Sequence, residues 1–486
     1  MGHVEMHSST IGAHVRVVST RYFLGSYRVS ESEGVGPGPA SGHLLRVLGV
    51  AFGLAVLVGN TIGMGILRTP GEVAARVPSV PLFLLVWVAG AVYAVLGALS
   101  VAELATMRPR SGGLYPLVHD ALGPYPGFVA GWTDWLAMCG STAAVAIVLG
   151  EYLGPLVPAL QGRAGLTASA VVVAFALLQW RGIRVGNVAQ LVTSLLKGVA
   201  LMALAIVALL TTVPAAPAPA IATHALPVGV ALVAAMVVAL QSAIFTYDGW
   251  TGPIYFGEEI RDPERGLPRA MIGGVVLVLL IYLALNLAFL RVVGIEAMAG
   301  DPFVAATAAS RLFGPAGDTA LRVLMIVSLL ATVNALQLMA CRVPYAMSRD
   351  RLLPAVLQRV NVGGTPVPAL WLGTCLALAF IATGTFNTVL ALLAFFFVAT
   401  YALVFTALFV QRRRAPDAPR PFRVPLYPWI PALALAGSLV FLVASVWGDR
   451  GNGLLALLLL VLSGPAYRLQ RAKASSAERS SQLPLG

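Results

Sequence analysis

Three glycines fall within seven residues in Gly59-Asn-Thr-Ile-Gly-Met-Gly65, at the centre of an apolar tract. A second apolar tract is interrupted at Thr246-Tyr-Asp-Gly-Trp-Thr-Gly-Pro253. Each glycine costs a helix about 1 kcal/mol relative to alanine, so both tracts are weakest at their middles. Unwinding the first frees backbone N–H groups near Met64, Gly65 and Ile66. They lie at the positive end of a second half-helix and suit a carboxylate. The same break leaves carbonyls near Thr61, Ile62 and Gly63 that can accept from an ammonium. The second break exposes carbonyls at Phe245, Thr246 and Asp248, at the negative end of a half-helix that suits a cation. Together the breaks form a backbone clamp for a zwitterion. Each residue also has a plainer reading. Glycines can mediate helix packing, Asp248 can cap the broken helix, Phe245 can pack or cover a substrate, and Trp250 is expected to pack.

Lys197 is one of two lysines in the chain, and no charged residue lies within a dozen positions on either side. It falls inside an apolar tract. A lysine at the middle of a membrane helix costs about 2.5–3.5 kcal/mol on insertion scales. Such a residue is expected to act in coupling, its ammonium standing where a cation would brace the first and eighth spans. It could also shed its proton during the cycle. The plainer alternative is a static hydrogen-bonded strut. The expected partners are the Ile62 or Gly63 carbonyl and the hydroxyl of Ser328 or Thr332.

These residues need elements to hold them at depth. Of 486 residues, 58% are hydrophobic and 11% charged, and mean hydropathy is +0.85. Soluble proteins carry about 25% charged residues, so a soluble enzyme is excluded and an all-α polytopic membrane protein is indicated. Tracts of about 20 apolar residues can span a bilayer. Twelve spans are predicted, over residues 47–75, 80–102, 128–149, 166–180, 188–213, 228–257, 270–290, 319–341, 367–384, 388–410, 427–447 and 453–470. The fourth is short. Residues 113–122 are too polar to span and are predicted as a short interfacial or re-entrant helix. Residues 1–43 and 471–486 are expected to be cytoplasmic tails, the first disordered.

Net charge is +12. With the N-terminus inside, twenty-four Lys/Arg residues fall on the inner side and seven on the outer, with Lys197 within a span. This bias sets orientation and fits twelve spans with both termini cytoplasmic. It also accounts for the positive charge without nucleic acid. The broken spans are the first and sixth. Units of five spans each, an odd number, must be inverted relative to one another, and binding sites of secondary transporters lie where such repeats meet. Repeat one covers about residues 44–213, repeat two about 228–410, and two extra helices about 427–470.

Three scattered cysteines, Cys139, Cys341 and Cys375, give no disulfide or metal pattern. The histidines avoid the spans, so no metal, cofactor or buried general base is expected. Glu103, Asp134 and Glu151 fall near predicted span ends, where water would solvate them. A channel would need a filter or a charged ring, and an enzyme a nucleophile with its base; neither pattern is evident.

The strings VGNTIGMGIL (58–67), AELATMRPRSGGLYPLVHDALG (102–123), VAQLVTSLLK (188–197), FTYDGWTGPIYFGEEIRDPERGLPRAM (245–271) and CRVPYAMSRDRLLP (341–354) resemble the amino acid–polyamine–organocation superfamily of permeases. The resemblance covers about residues 44–470. It implies a LeuT-type fold with a 5+5 inverted repeat plus two extra helices, and an amino acid substrate at the two breaks. It implies that backbone at Thr61, Met64, Gly65, Phe245 and Asp248 meets the substrate's α-groups, and that Lys197 replaces a sodium ion. Met64 stands where relatives commonly carry serine or another small residue, a departure that would narrow the pocket. The function expected is a Na⁺-independent amino acid permease of the cell membrane, working by proton symport or exchange. A transporter of polyamines or other organic cations is the alternative.

Overall fold

A computed structural model describes residues 44, 46–63, 65–154, 156–211, 226–301, 304–383 and 386–448, and 454–468 apart from 455, 459 and 466. Both expected tails and Met64 lie outside the described residues. The chain runs α1 (Val50–Thr61), α2 (Gly65–Arg76), α3 (Val80–Met107), α4 (Tyr115–Leu122), α5 (Pro124–Leu153), α6 (Ala164–Trp180) and α7 (Ile183–Leu210). It continues α8 (Val230–Tyr247), α9 (Pro263–Val292), α10 (Ile295–Met298), α11 (Val304–Phe313), α12 (Pro315–Ala340) and α13 (Arg342–Arg349). Last come α14 (Val367–Thr383), α15 (Phe386–Arg414), α16 (Trp429–Gly448) and a further apolar stretch, Ala456–Pro465.

Helix occurs in each of the twelve predicted tracts, but among the described residues eight helices are long and apolar enough to cross a membrane on their own. The shorter apolar ones include α1, α6 and α14. Helix α4 occupies the tract read as too polar to span, and α11 was not anticipated. The broken element α1 lies inside the bundle, packed against α7, α9 and α12, while α8 packs on α2 and α3.

Two acidic residues depart from expectation. Helix α3 runs five residues past its predicted end, which carries Glu103 into the interior at 0% exposure. There it takes Arg412 at 2.6 Å, Arg420 at 3.2 Å and the Val424 amide at 2.8 Å. Helix α5 starts four residues earlier than predicted, so Asp134 sits a third of the way in, also at 0% exposure. Glu151, at the end of α5, is exposed.

The end of the bundle where α1 begins is cross-tied. Arg342 grips Glu259 through two bonds of 2.6 and 2.9 Å, with both side chains buried. Its guanidinium also lies 4.1 Å from the Phe256 ring centre. Arg349 pairs with Glu258 at 2.6 Å, at 37% and 23% exposure. Arg110 clasps Asp350 with two 2.8 Å bonds, and Tyr115 adds a third of 2.7 Å. Breaking a buried pair by removing one partner costs about 3–5 kcal/mol, whereas exposed pairs contribute about 0–1 kcal/mol. Glu259→Ala is therefore expected to lower the melting midpoint in detergent clearly more than Glu258→Ala. Equal shifts for the two variants would refute this ranking.

Candidate functional site

The first break is the gap between α1 and α2. Ile62 leaves helical geometry at φ −77° and ψ 83°. Its amide still bonds Val58 O at 3.0 Å, and the Gly63 amide turns back to Thr61 O at 2.9 Å. Gly65 opens α2, so the amides of Gly65, Ile66 and Leu67 belong to a helix start and have no acceptor within their own helix. They form the positive end of a helix dipole.

The second break is sharper than expected. The tract read as one interrupted span over 228–257 is α-helical only to Tyr247. Asp248 is extended (ψ 145°), Gly249 takes φ +116°, and the chain resumes only as a single 3₁₀ turn, Gly252–Tyr255. The sequence explains the stop. Glycine alone adopts such a φ readily, and Pro253 has no N–H to donate back into a continuing helix.

The two breaks abut. A Cβ on Gly249 would fall 2.7 Å from Asn60 Nδ2 and 2.8 Å from Thr61 Oγ1. A Cβ on Gly65 would fall 2.9 Å from Thr246 Cγ2. The Thr246 hydroxyl donates to Thr69 Oγ1 on α2 at 2.9 Å, with Ser242 O a second acceptor at 2.8 Å. From α9, the Tyr282 hydroxyl faces Thr61 O at 2.8 Å and Thr246 O at 3.1 Å. One hydroxyl thus meets the end of α1 and the end of α8 together.

The structure brings Lys197 to the first break. Its Nζ donates to Gly59 O at 3.0 Å, to Ile62 O, and to Ser328 O at 3.2 Å, with Thr332 Oγ1 at 3.3 Å. The carbonyl partner beside Ile62 is that of Gly59 rather than Gly63. Of the two candidate hydroxyls, that of Thr332 faces the ammonium, while Ser328 offers its carbonyl and donates its hydroxyl to Ile62 O at 3.1 Å. Four oxygens from α12 and the end of α1 therefore surround the nitrogen of Lys197, a residue that is 0% exposed. Lys197 continues a polar stripe on α7. Gln190 and Ser194 both reach Ala55 O, at 3.2 and 2.7 Å. This stripe explains Gly59, where a Cβ would lie 1.8 Å from Gln190 Nε2.

Around the second break, Asp248 accepts from the Tyr401 hydroxyl of α15, and Trp250 packs on the same ring at 5.0 Å between centroids. Phe245 is half-buried, and its carbonyl takes the Asp248 amide at 3.1 Å. The Tyr255 hydroxyl donates its one proton to the Asp134 carboxylate, whose two oxygens lie 2.7 and 2.8 Å away. Of the residues grouped here, Thr61, Ile62, Gly63, Gly65, Ile66, Lys197, Phe245, Thr246, Asp248, Ser328 and Thr332 were singled out from the sequence. Tyr282, Thr69, Tyr401 and Tyr255 were not. A tyrosine or threonine in an apolar helix gives no signal distinct from packing, and the partners of these four lie 36 residues or more away in the chain.

A cavity of about 720 Å³ lies elsewhere, among Phe395, Ala399, Leu442, Val446 and Trp447. Its lining is apolar, so it has nothing to pair with a zwitterion and is not the candidate site.

Two broken helices side by side inside a helical bundle define a secondary transporter of the LeuT type. The fold is also that of MhsT in complex with L-phenylalanine, with a TM-score of 0.56 at 17% identity, covering 86% of this chain and 99% of that one. Residues 44–457 match the amino acid permease family, and the chain belongs to it. Its members are transporters, not enzymes. The chain is 30% identical to the serine/threonine exchanger SteT of Bacillus subtilis (strain 168), over 89% of this chain and 98% of that protein. It is 29% identical to the mouse b(0,+)-type amino acid transporter 1, over 87% of each. It is 30% identical to the mouse large neutral amino acids transporter small subunit 2, over 94% of this chain and 87% of that one. The chain is accordingly a multi-pass membrane protein that transports amino acids.

Proposed function

We propose that this permease is Na⁺-independent and works by alternating access, as an amino acid exchanger or a proton symporter, in the cell membrane with both termini cytoplasmic. The observation that carries the reading is Lys197. Its ammonium fills an oxygen-lined niche between the end of α1 and α12, so a fixed charge of the chain serves where a bound sodium ion would otherwise brace these helices. The substrate's carboxylate meets the amides that begin α2, at Gly65 and Ile66. Its ammonium meets carbonyls of the two breaks, at Thr61, Phe245, Thr246 or Asp248. The orientation rests on the Lys/Arg bias, and the name of the exchanger relative favours exchange over symport. That relative and the large neutral amino acids transporter favour neutral substrates.

Uptake of labelled serine, threonine and leucine into proteoliposomes tests the reading, with and without Na⁺, a pH gradient and internal amino acid. The expected outcome is uptake that ignores Na⁺ and is driven by internal amino acid or by protons. Strict dependence on Na⁺ would remove the role given to Lys197. Transport of polyamines in preference to all three amino acids would favour the organic-cation alternative.

A further inference from the structure

The buried carboxylate of Asp134 plays no part in the substrate clamp. It is 0% exposed, and the Tyr255 hydroxyl is its one side-chain donor among the described residues. An ionised carboxylate offers about four lone-pair sites. A single donor leaves most of them empty, at a large cost away from water. No cation offsets that cost. The ionisable groups facing Asp134 are Tyr255 from the 3₁₀ turn, Asp248 from the second break and Tyr401 from α15, and Asp248 is itself an acid. Around Gly131, one turn earlier, stand Met347 of α13 and Tyr115 of α4, whose hydroxyl is committed to Asp350. Helices α6, α12 and α14 also pack on α5 and bring Asp134 no charged side chain among the described residues.

The tie to Tyr255 joins two parts of the bundle. The turn that carries Tyr255 packs most closely on α1 and α9, whereas α5 packs on α6, α12, α14 and α15. The phenol is aimed by its surroundings. Tyr255 is 0% exposed, and a Cβ on Gly113 would fall 2.3 Å from its ring. Gly113 takes φ +69°, which glycine adopts readily, so the loop after α3 seats this ring. We propose that Asp134 is a proton-binding site whose occupancy sets how firmly the segment after the second break is fastened to α5. Ionised, the carboxylate holds Tyr255 by a charge-assisted bond, roughly twice as strong as a neutral one. A proton arriving from water makes the pair neutral and frees the segment to move away from α5. The proton leaves when the tie re-forms, so a proton taken up on one side and released on the other accompanies the amino acid. The inference rests on the amino acid reading given above and adds where a coupled proton binds.

Asp134→Asn keeps the size of the side chain and an acceptor for Tyr255 but cannot titrate. The experiment uses the full chain in proteoliposomes and the best transported of L-serine, L-threonine and L-leucine. It measures net uptake with and without an inward proton gradient, and exchange against internal amino acid at equal pH. Wild-type net uptake is expected to rise about tenfold with the gradient, the scale of one hydrogen bond to a charged group. The variant is expected to lose that response and to keep exchange within about threefold, because a neutral bond to Tyr255 remains. A merely structural Asp134 leaves the response to the gradient intact in the variant, and that result overturns the proposal. A wild type that exchanges amino acids without responding to the gradient also overturns it. Absence of any amino acid transport by the wild type instead defeats the underlying reading. If Asp134→Asn does not fold, Tyr255→Phe decides, since it keeps the ring against Gly113 and removes the tie. That variant is expected to take up amino acid equally with and without the gradient, and a wild-type response in it refutes the idea.

Discussion

Lys197→Ala is expected to abolish accumulation of amino acid in proteoliposomes while the purified protein keeps its fold. The asymmetry follows from the partners. Three carbonyls, Gly59, Ile62 and Ser328, lose a charged donor. Hydrogen bonds to charged groups are worth about tenfold each in an equilibrium, so the arrangement of the first break relative to α12 loses its strongest tie. Two neutral donors remain, since Thr332 Oγ1 reaches Gly59 O at 2.8 Å and Ser328 Oγ reaches Ile62 O at 3.1 Å. Removing a buried ammonium also removes its burial cost. The melting midpoint should therefore move little while transport falls at least tenfold, or continues as exchange without response to a pH gradient. Uptake close to wild type, still driven by protons, would reduce Lys197 to a strut. A variant that no longer folds would show that the ammonium is needed for the bundle itself.

How far the residues announced this arrangement depends on whether their signal was local. Gly59, Gly63 and Gly65 crowd one tract, and Gly249 sits beside Pro253 within five residues, so both breaks were legible as weak points in a helix. Lys197 was legible because a charge in an apolar tract is costly and stands out from its neighbours. The choice of Gly59 over Gly63 as its carbonyl partner was not, because it depends on how α7 turns against α1. Glu103 and Asp134 were misread for a related reason. Their solvation was inferred from predicted span ends, and both helices run beyond the apolar tracts that marked those ends. Glu103 is buried because Arg412 and Arg420, more than 300 residues away, neutralise it. Tyr282 carries no local mark at all, and its meaning lies only in the two carbonyls it faces. The short 3₁₀ segment after the second break could have been anticipated from Gly252-Pro253, which disfavours resumed α-helix directly after a turn.

The contrast between Gly65 and Gly63 gives the strongest test of the breaks as a binding site. Both are glycines of one motif, and on composition alone they are interchangeable. In the structure they are not. A Cβ on Gly63 would meet Thr332 Oγ1 at 3.5 Å, an ordinary contact. A Cβ on Gly65 would meet Thr246 Cγ2 at 2.9 Å, Oγ1 at 3.1 Å and Cα at 3.2 Å, so α2 and α8 would have to separate. That separation breaks the Thr246–Thr69 bond and draws Thr246 O away from Tyr282. A longer side chain would also cover the amides that begin α2, where a carboxylate must approach backbone closely. Gly65→Leu is therefore expected to lose amino acid binding by about a hundredfold or more, the effect of forfeiting two charge-assisted hydrogen bonds. Gly63→Ala should stay within about threefold of the wild type, since glycine-to-alanine changes without a clash are small. Thermal-shift titration with the transported amino acid reads both variants, because ligand stabilisation scales with occupancy. Wild-type affinity in Gly65→Leu would place the substrate away from the breaks. Equal losses in the two variants would mean that the motif as a whole, rather than the approach of α2 to α8, controls binding.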